Sequence, residues 1–344
     1  MNFGSLDLNT IWFALVGVLL TGYVVLDGFD FGVGMLHLLV AKRDEERRVL
    51  LNAIGPVWDG NEVWLLTGGG ALFAAFPAVY ATVFSGFYLA LMALLCALIF
   101  RAVAIECRSK HDAPRWRACW DGAFAAGSTV AALLLGVAMG NLARGVPIDA
   151  DGEFAGSFLG LLNPYSLAMG VTTVVLFALH GALYLVLKTE GELQARVRRW
   201  VAPLGALFGV CFVGVTLATV YVAPQLIAAF TRAPWLNAVL AVVVAAILAI
   251  PLATKRGKEL LALVASAVTI AGLMVLFAVG SYPVLVFSNP SPVHSLTAFN
   301  AASSPKTLAV MLTIALIGMP LVIAYTAFIY RIFRGKVKIT KTSY

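Results

Sequence analysis

Asp27 and Asp30 stand three residues apart in one apolar stretch, Asp59 and Glu62 three apart in the next, and Arg101 lies inside a third. In a helix that spacing puts each acid pair on one face. An ionisable group in a membrane span costs about 2.5–3.5 kcal/mol or more, so such residues face a protein interior, a partner or water and do a job there. Asp30 falls roughly 15 Å, and Arg101 roughly 10 Å, from the nearer end of its helix, so the five groups share a depth. Four carboxyls and one guanidinium can act as a proton relay, with Arg101 holding one acid ionised while a neighbour takes up and releases protons. The same groups fit an ion-pair cluster that fixes helix packing, and they fit the coordinating site of an ion-coupled secondary transporter using Asp27, Asp30 and Asp59. Spacing alone leaves these three open.

The elements that must position these residues are membrane helices. The chain has 344 residues, 61% of them hydrophobic and 12% charged, with a mean hydropathy of +0.93. That composition excludes a water-soluble globular enzyme. Apolar stretches at 8–40, 48–74, 78–107, 116–143, 161–187, 200–222, 235–253, 259–281 and 307–332 predict about nine spans. The expected fold is an all-α polytopic membrane protein: two four-helix bundles, about 8–145 and 161–281, plus one peripheral helix at about 307–334, forming a single integral membrane domain.

Most of the 24 basic residues occupy alternate gaps: Lys42 to Arg48, Arg108 to Arg117, Lys188 to Arg199, Lys255 to Lys258 and Arg331 to Lys341. The positive-inside rule then places the N-terminus outside and the C-terminus in the cytoplasm. The net charge of +7 is thereby a topology signal, which argues against nucleic-acid binding. The four cysteines form no Cys-x-x-Cys pair, so iron–sulfur, zinc and disulfide-scaffold readings lose their main support, and no metal is expected. His180, alone in its span, is expected to be a packed hydrogen-bonding residue rather than a haem ligand. Asp121 is expected at an interface. Gly28/Gly32, Gly136/Gly140 and Gly205/Gly209 have the spacing that lets helix backbones approach closely.

Three motifs then carry a resemblance: Gly28-Phe29-Asp30-Phe31-Gly32-Val33-Gly34, Pro56-Val57-Trp58-Asp59-Gly60-Asn61-Glu62-Val63-Trp64, and the run from Gly68 to Pro77. With Phe100-Arg101, Gly140-Asn141-Leu142 and Leu162-Asn163-Pro164-Tyr165, they resemble subunit II of the bacterial cytochrome bd-type quinol oxidases. The likeness runs over essentially the whole chain and is strongest before residue 165.

The resemblance implies a subunit of a terminal oxidase of aerobic respiration, not catalytic alone, in a complex that oxidises quinol and reduces dioxygen to water. It implies a bacterial inner-membrane location and a haem-bearing subunit I that carries the b- and d-type haems. It leaves room for a small single-helix accessory subunit and for a quinone held in this chain at residues it does not identify. The acid matching Asp59 is assigned to a proton route from the cytoplasm. Asp30, Arg101, Asp27 and Glu62 are carried over as its companions, although an amide replaces the matching Glu62 in some relatives. The tryptophan matching Trp64 is assigned in some members to the mouth of an oxygen route, with Trp58 and Asn61 beside it.

Overall fold

The computed structural model describes residues 7–338. Its helices are α1 (Leu8–Val40), α2 (Asp44–Ile54), α3 (Trp58–Ala75), α4 (Pro77–Gly86), α5 (Tyr88–Cys107), α6 (Pro114–Arg144), α7 (Phe158–Leu161) and α8 (Pro164–Lys188). They are followed by α9 (Gly191–Val222), α10 (Pro224–Arg232), α11 (Leu236–Lys255), α12 (Glu259–Ser281) and α13 (Pro305–Ile332). Eight of them are long and apolar enough to cross a membrane, and α3 with α4 makes a ninth segment broken by a 119° bend. The chain is a multi-pass membrane protein.

Local chemistry sets the helix ends. Asp7, Asn163 and Ser304 accept hydrogen bonds from the backbone N–H three residues on, capping α1, α8 and α13. Proline opens α4, α6, α8, α10 and α13, where its missing N–H costs nothing. The expected continuous span over 48–74 is instead split between α2 and α3, because Pro56 cannot donate to the helical ladder and constrains the residue before it. The stretch 78–107 is likewise two helices, α4 and α5, separated at Phe87.

Helices α1, α3, α5 and α6 pack together, as do α8, α9, α11 and α12, and the two groups are joined by α6 against α8 and by α1 against α8 and α12. In the most apolar window of α8, 72% of residues are buried, against 6% in α13, so α8 is central and α13 peripheral. The crossing of α1 and α8 is backbone on backbone. A Cβ built on Gly32 would lie 1.9 Å from the Phe177 carbonyl oxygen, and one on Gly181 would lie 2.4 Å from the Gly32 carbonyl carbon. Gly136 and Gly140 meet α8 with similar closeness. Gly205 and Gly209 have nothing within 4 Å, so among the described residues their spacing serves no close helix contact.

The loops 145–160 and 281–306 pack on each other at the end of the bundle away from the basic clusters. Val146 N–H donates to the Phe287 carbonyl at 2.9 Å, and Asn289 Nδ2 to the Gly145 carbonyl at 2.7 Å. The second loop carries a small antiparallel hairpin, β1 (Val284–Val286) with β2 (Leu296–Thr297).

Candidate functional site

Asp27 and Asp30 lie on α1, where burial is complete: both side chains and Arg101 are 0% exposed. Arg101 reaches from α5 to Asp27 with both terminal nitrogens, Nη1 donating to Oδ2 at 3.0 Å and Nη2 to Oδ1. The guanidinium also lies over the Phe31 ring, 4.2 Å from its centroid. The bidentate pair is the geometry in which a buried guanidinium and carboxylate best offset their lost hydration. Arg101 is therefore committed to Asp27 among the expected acids.

Asp30, one turn on, has no cation of its own. Its Oδ2 accepts from Asn61 Nδ2 at 2.7 Å, while its Oδ1 is buried without a hydrogen-bond partner. Asn61 also donates to the Leu26 carbonyl at 3.1 Å and accepts from the Tyr330 hydroxyl at 2.9 Å. The chain Asp30–Asn61–Tyr330 thus joins α1, α3 and α13. Tyr330 has no counterpart in the sequence reading: a tyrosine near the end of the last span reads as an ordinary interfacial anchor.

The remaining expected residues are on α3. Asp59 sits in its first turn, where the helix dipole favours an anion, but its side chain is exposed on the outer face of the chain rather than desolvated beside Arg101. Glu62, one turn further, is half-buried, with Arg101, Asp27 and Asp59 as its neighbouring charges. Trp58 is half-buried against the main core. Trp64 is also half-buried and fills a notch left by Gly22, at which a Cβ would lie 2.4 Å from its Cε3; its indole nitrogen is buried with no acceptor. The tertiary structure thus joins Asp27 to Arg101 and Asp30 to Asn61, and leaves Asp59 at the surface.

A second polar cluster occupies the basic end. Asp121, expected at an interface, is 0% exposed because three cationic or polar side chains converge on it. His37 Nε2 lies 2.6 Å from its Oδ1, Arg47 Nη1 donates to Oδ2 at 2.8 Å, and Arg108 Nε donates to Oδ1 at 2.5 Å. Arg108 continues to Asp44 at 2.7 Å. This knot ties α1, α2 and α6 to the turn after α5. The signal for it was weak, since Asp121 follows Trp120 near a span end and reads as interfacial.

His180 has no ring nitrogen to spare for a haem iron, whereas Nδ1 of His37 is buried without a hydrogen-bond partner. His180 Nδ1 is 2.6 Å from Ser266 Oγ, and its Nε2 is 3.0 Å from the Val25 carbonyl, so both ring nitrogens are engaged. His37 is held by Asp121. Among the described residues, no group of three or more His, Cys, Asp or Glu is placed to hold a metal ion.

Glu46 fastens the start of α2 to α9. Burial alone would raise its pKa, but Arg196 and the backbone N–H groups of Lys42 and Arg43 outweigh that and bring it down to about 2. A depressed carboxyl contributes stability above its unfolded value and loses it as pH falls toward the folded one. Glu46→Gln is therefore expected to lower the melting temperature of the purified protein at pH 6 by about 2–4 °C. The gap should narrow once pH drops below about 4.3. A gap that stays constant down to pH 3 would show that the charge of Glu46 contributes nothing.

Over residues 8–333 the chain matches the family described as cytochrome bd terminal oxidase subunit II. The chain belongs to this family. It is 39% identical to cytochrome bd-I ubiquinol oxidase subunit 2 of Escherichia coli strain K12, over 96% of this chain and 95% of the relative. It is 38% identical to cytochrome bd ubiquinol oxidase subunit 2 of Bacillus subtilis strain 168, over 96% and 97%. The bd oxidase structure from Geobacillus thermodenitrificans shares the fold, with a TM-score of 0.79 at 16% identity, covering 95% of this chain and 98% of that one. A cytochrome bd subunit II chain is one component of a terminal oxidase, a membrane enzyme complex, and the all-helical architecture and the expected family both hold.

Proposed function

We propose that this chain is the haem-free subunit II of a bd-type quinol oxidase, packed beside a haem-bearing subunit I that oxidises quinol and reduces dioxygen to water. The haems are assigned to the partner; in support, both nitrogens of His180 and one of His37 are already engaged within this chain. A quinone bound in this chain and a small accessory helix belong to the same reading. The N-terminus lies outside and the C-terminus in the cytoplasm, on the strength of the basic clusters at one end.

Within the complex, this subunit supplies a proton route from the cytoplasmic side. The observation that carries this is the division of labour among its acids. Asp27 and Arg101 neutralise each other, whereas Asp30 keeps one buried oxygen free to take a proton. Asp59 and Glu62 line one face of α3 from its exposed first turn inward, which gives protons an entry. Trp64, in its notch against α1, with Trp58 and Asn61 on the same helix, lines an oxygen route. Family membership weighs against an ion-coupled transporter. The pairing of Asp27 with Arg101 favours one competing reading, a purely structural polar cluster.

Asp59→Asn separates the two. Since Asp59 is exposed and makes no side-chain hydrogen bond or ion pair among the described residues, its amide should assemble normally while quinol-driven oxygen uptake per haem falls about tenfold or more. Unchanged turnover per haem would leave the cluster structural and remove the proton route.

A further inference from the structure

At the basic end, between the end of α1 and the first turns of α9, lies a cavity of about 360 Å³ lined by Leu39, Lys42, Arg196, Arg199, Trp200 and Pro203. Arg196, Arg199, Trp200 and Pro203 recur at helical spacing, so one face of α9 supplies four of the six walls. The lining is divided along the helix axis. On α9, Arg196 and Arg199 precede Trp200 and Pro203, and at the end of α1, Leu39 precedes Lys42, so on both elements the cations lie nearer the polar end and the apolar residues farther in.

The cations are not equivalent. Arg196 is anchored, its side chain 15% exposed and ion-paired with Glu46. Lys42 and Arg199 are exposed, and among the described residues neither side chain makes a hydrogen bond or ion pair. Two free positive charges therefore flank one fixed guanidinium over a wall that includes an exposed leucine, 57%, and a tryptophan, 37%. A metal ion is excluded by the sign of the lining. A free anion would satisfy the charges but leave the apolar wall to water. A phosphodiester carrying acyl chains satisfies both: the phosphate between Lys42, Arg196 and Arg199, and the chains down over Leu39 toward the apolar length of α9. Basic pockets between helices at a membrane surface hold such headgroups, and tryptophan at the same level is the ordinary interfacial residue.

We propose that this pocket is a binding site for one anionic phospholipid, read by Lys42, Arg196 and Arg199. The lipid would brace the turn after α1 against α9, alongside the Glu46–Arg196 tether.

The test is native mass spectrometry of the purified two-subunit complex, delipidated and titrated with dioleoyl-phosphatidylglycerol or dioleoyl-phosphatidylcholine. The first phosphatidylglycerol is expected to bind Lys42→Gln/Arg199→Gln about tenfold more weakly than wild type, with phosphatidylcholine unaffected. Removing equal charge from the exposed loop after α11, as Arg256→Gln/Lys258→Gln, should leave the first site intact, and millimolar inorganic phosphate should not displace the lipid. Should assembly of the double variant fail, Lys42→Gln alone should still weaken the site. The proposal is overturned if the double variant binds phosphatidylglycerol as wild type does, or if both double variants weaken it equally. It is also overturned if phosphate alone displaces the lipid, which would make the pocket a free-anion site.

Discussion

Arg101→Met is expected to abolish assembly of the complex. The substitution keeps a long apolar stem over Phe31 but leaves Asp27, which is 0% exposed, without its only bidentate partner. Removing one member of a buried ion pair costs about 3–5 kcal/mol, because the remaining charge has neither water nor a counter-ion. That is a large fraction of the stability of an ordinary domain. The check is a cycle in which Asp27→Leu is added to Arg101→Met. If the loss comes from the stranded carboxylate, the pair of substitutions should restore much of the assembled yield and the thermal midpoint, and the two single losses should far exceed the double. An Arg101→Met complex that assembles and melts like wild type would mean that Asp27 is neutralised without Arg101, by a proton or another counter-charge, and the division of labour proposed above would fail with it.

The second large effect is on turnover. Asp30→Asn preserves shape and can keep the contact with Asn61, yet it removes the one buried carboxyl in the cluster that no cation holds. If Asp30 hands on protons, oxygen uptake per haem should fall about 100-fold, the scale of a lost positioned proton donor. Haem content should stay unchanged. Tyr330→Phe discriminates further. It frees the Asn61 carbonyl oxygen without touching a titratable acid, so it should lower turnover far less than Asp30→Asn. Equal losses from the two variants would assign the effect to the geometry of Asn61, not to proton transfer through Asp30.

The sequence by itself determined the class, most of the spans and the family. Hydrophobic stretches of about 20 residues can satisfy their backbone groups in lipid only as helices, so length and composition decide the architecture. The Trp58-Asp59-Gly60-Asn61-Glu62-Val63-Trp64 run and its neighbours pointed to the family over nearly the whole chain. The acids and Arg101 announced themselves by the cost of placing charge in a span. The sequence shows Pro56 inside the stretch 48–74, but that stretch reads as one span, and its division into two helices appears only in the structure.

What only the tertiary structure decided is which polar groups meet. Spacing within one helix shows that Asp27 and Asp30 share a face, but Arg101 on α5 could have reached any of four acids, and the choice of Asp27 depends on how α1 and α5 pack. The outward turn of Asp59, the arrival of Tyr330 at Asn61 from more than 260 residues away and the burial of Asp121 under Arg47, Arg108 and His37 have the same origin. Each is set by helix rotation and crossing, and those follow from close backbone contacts such as Gly32 against Gly181; the Gly28/Gly32 spacing marks a close approach but not the helix that makes it.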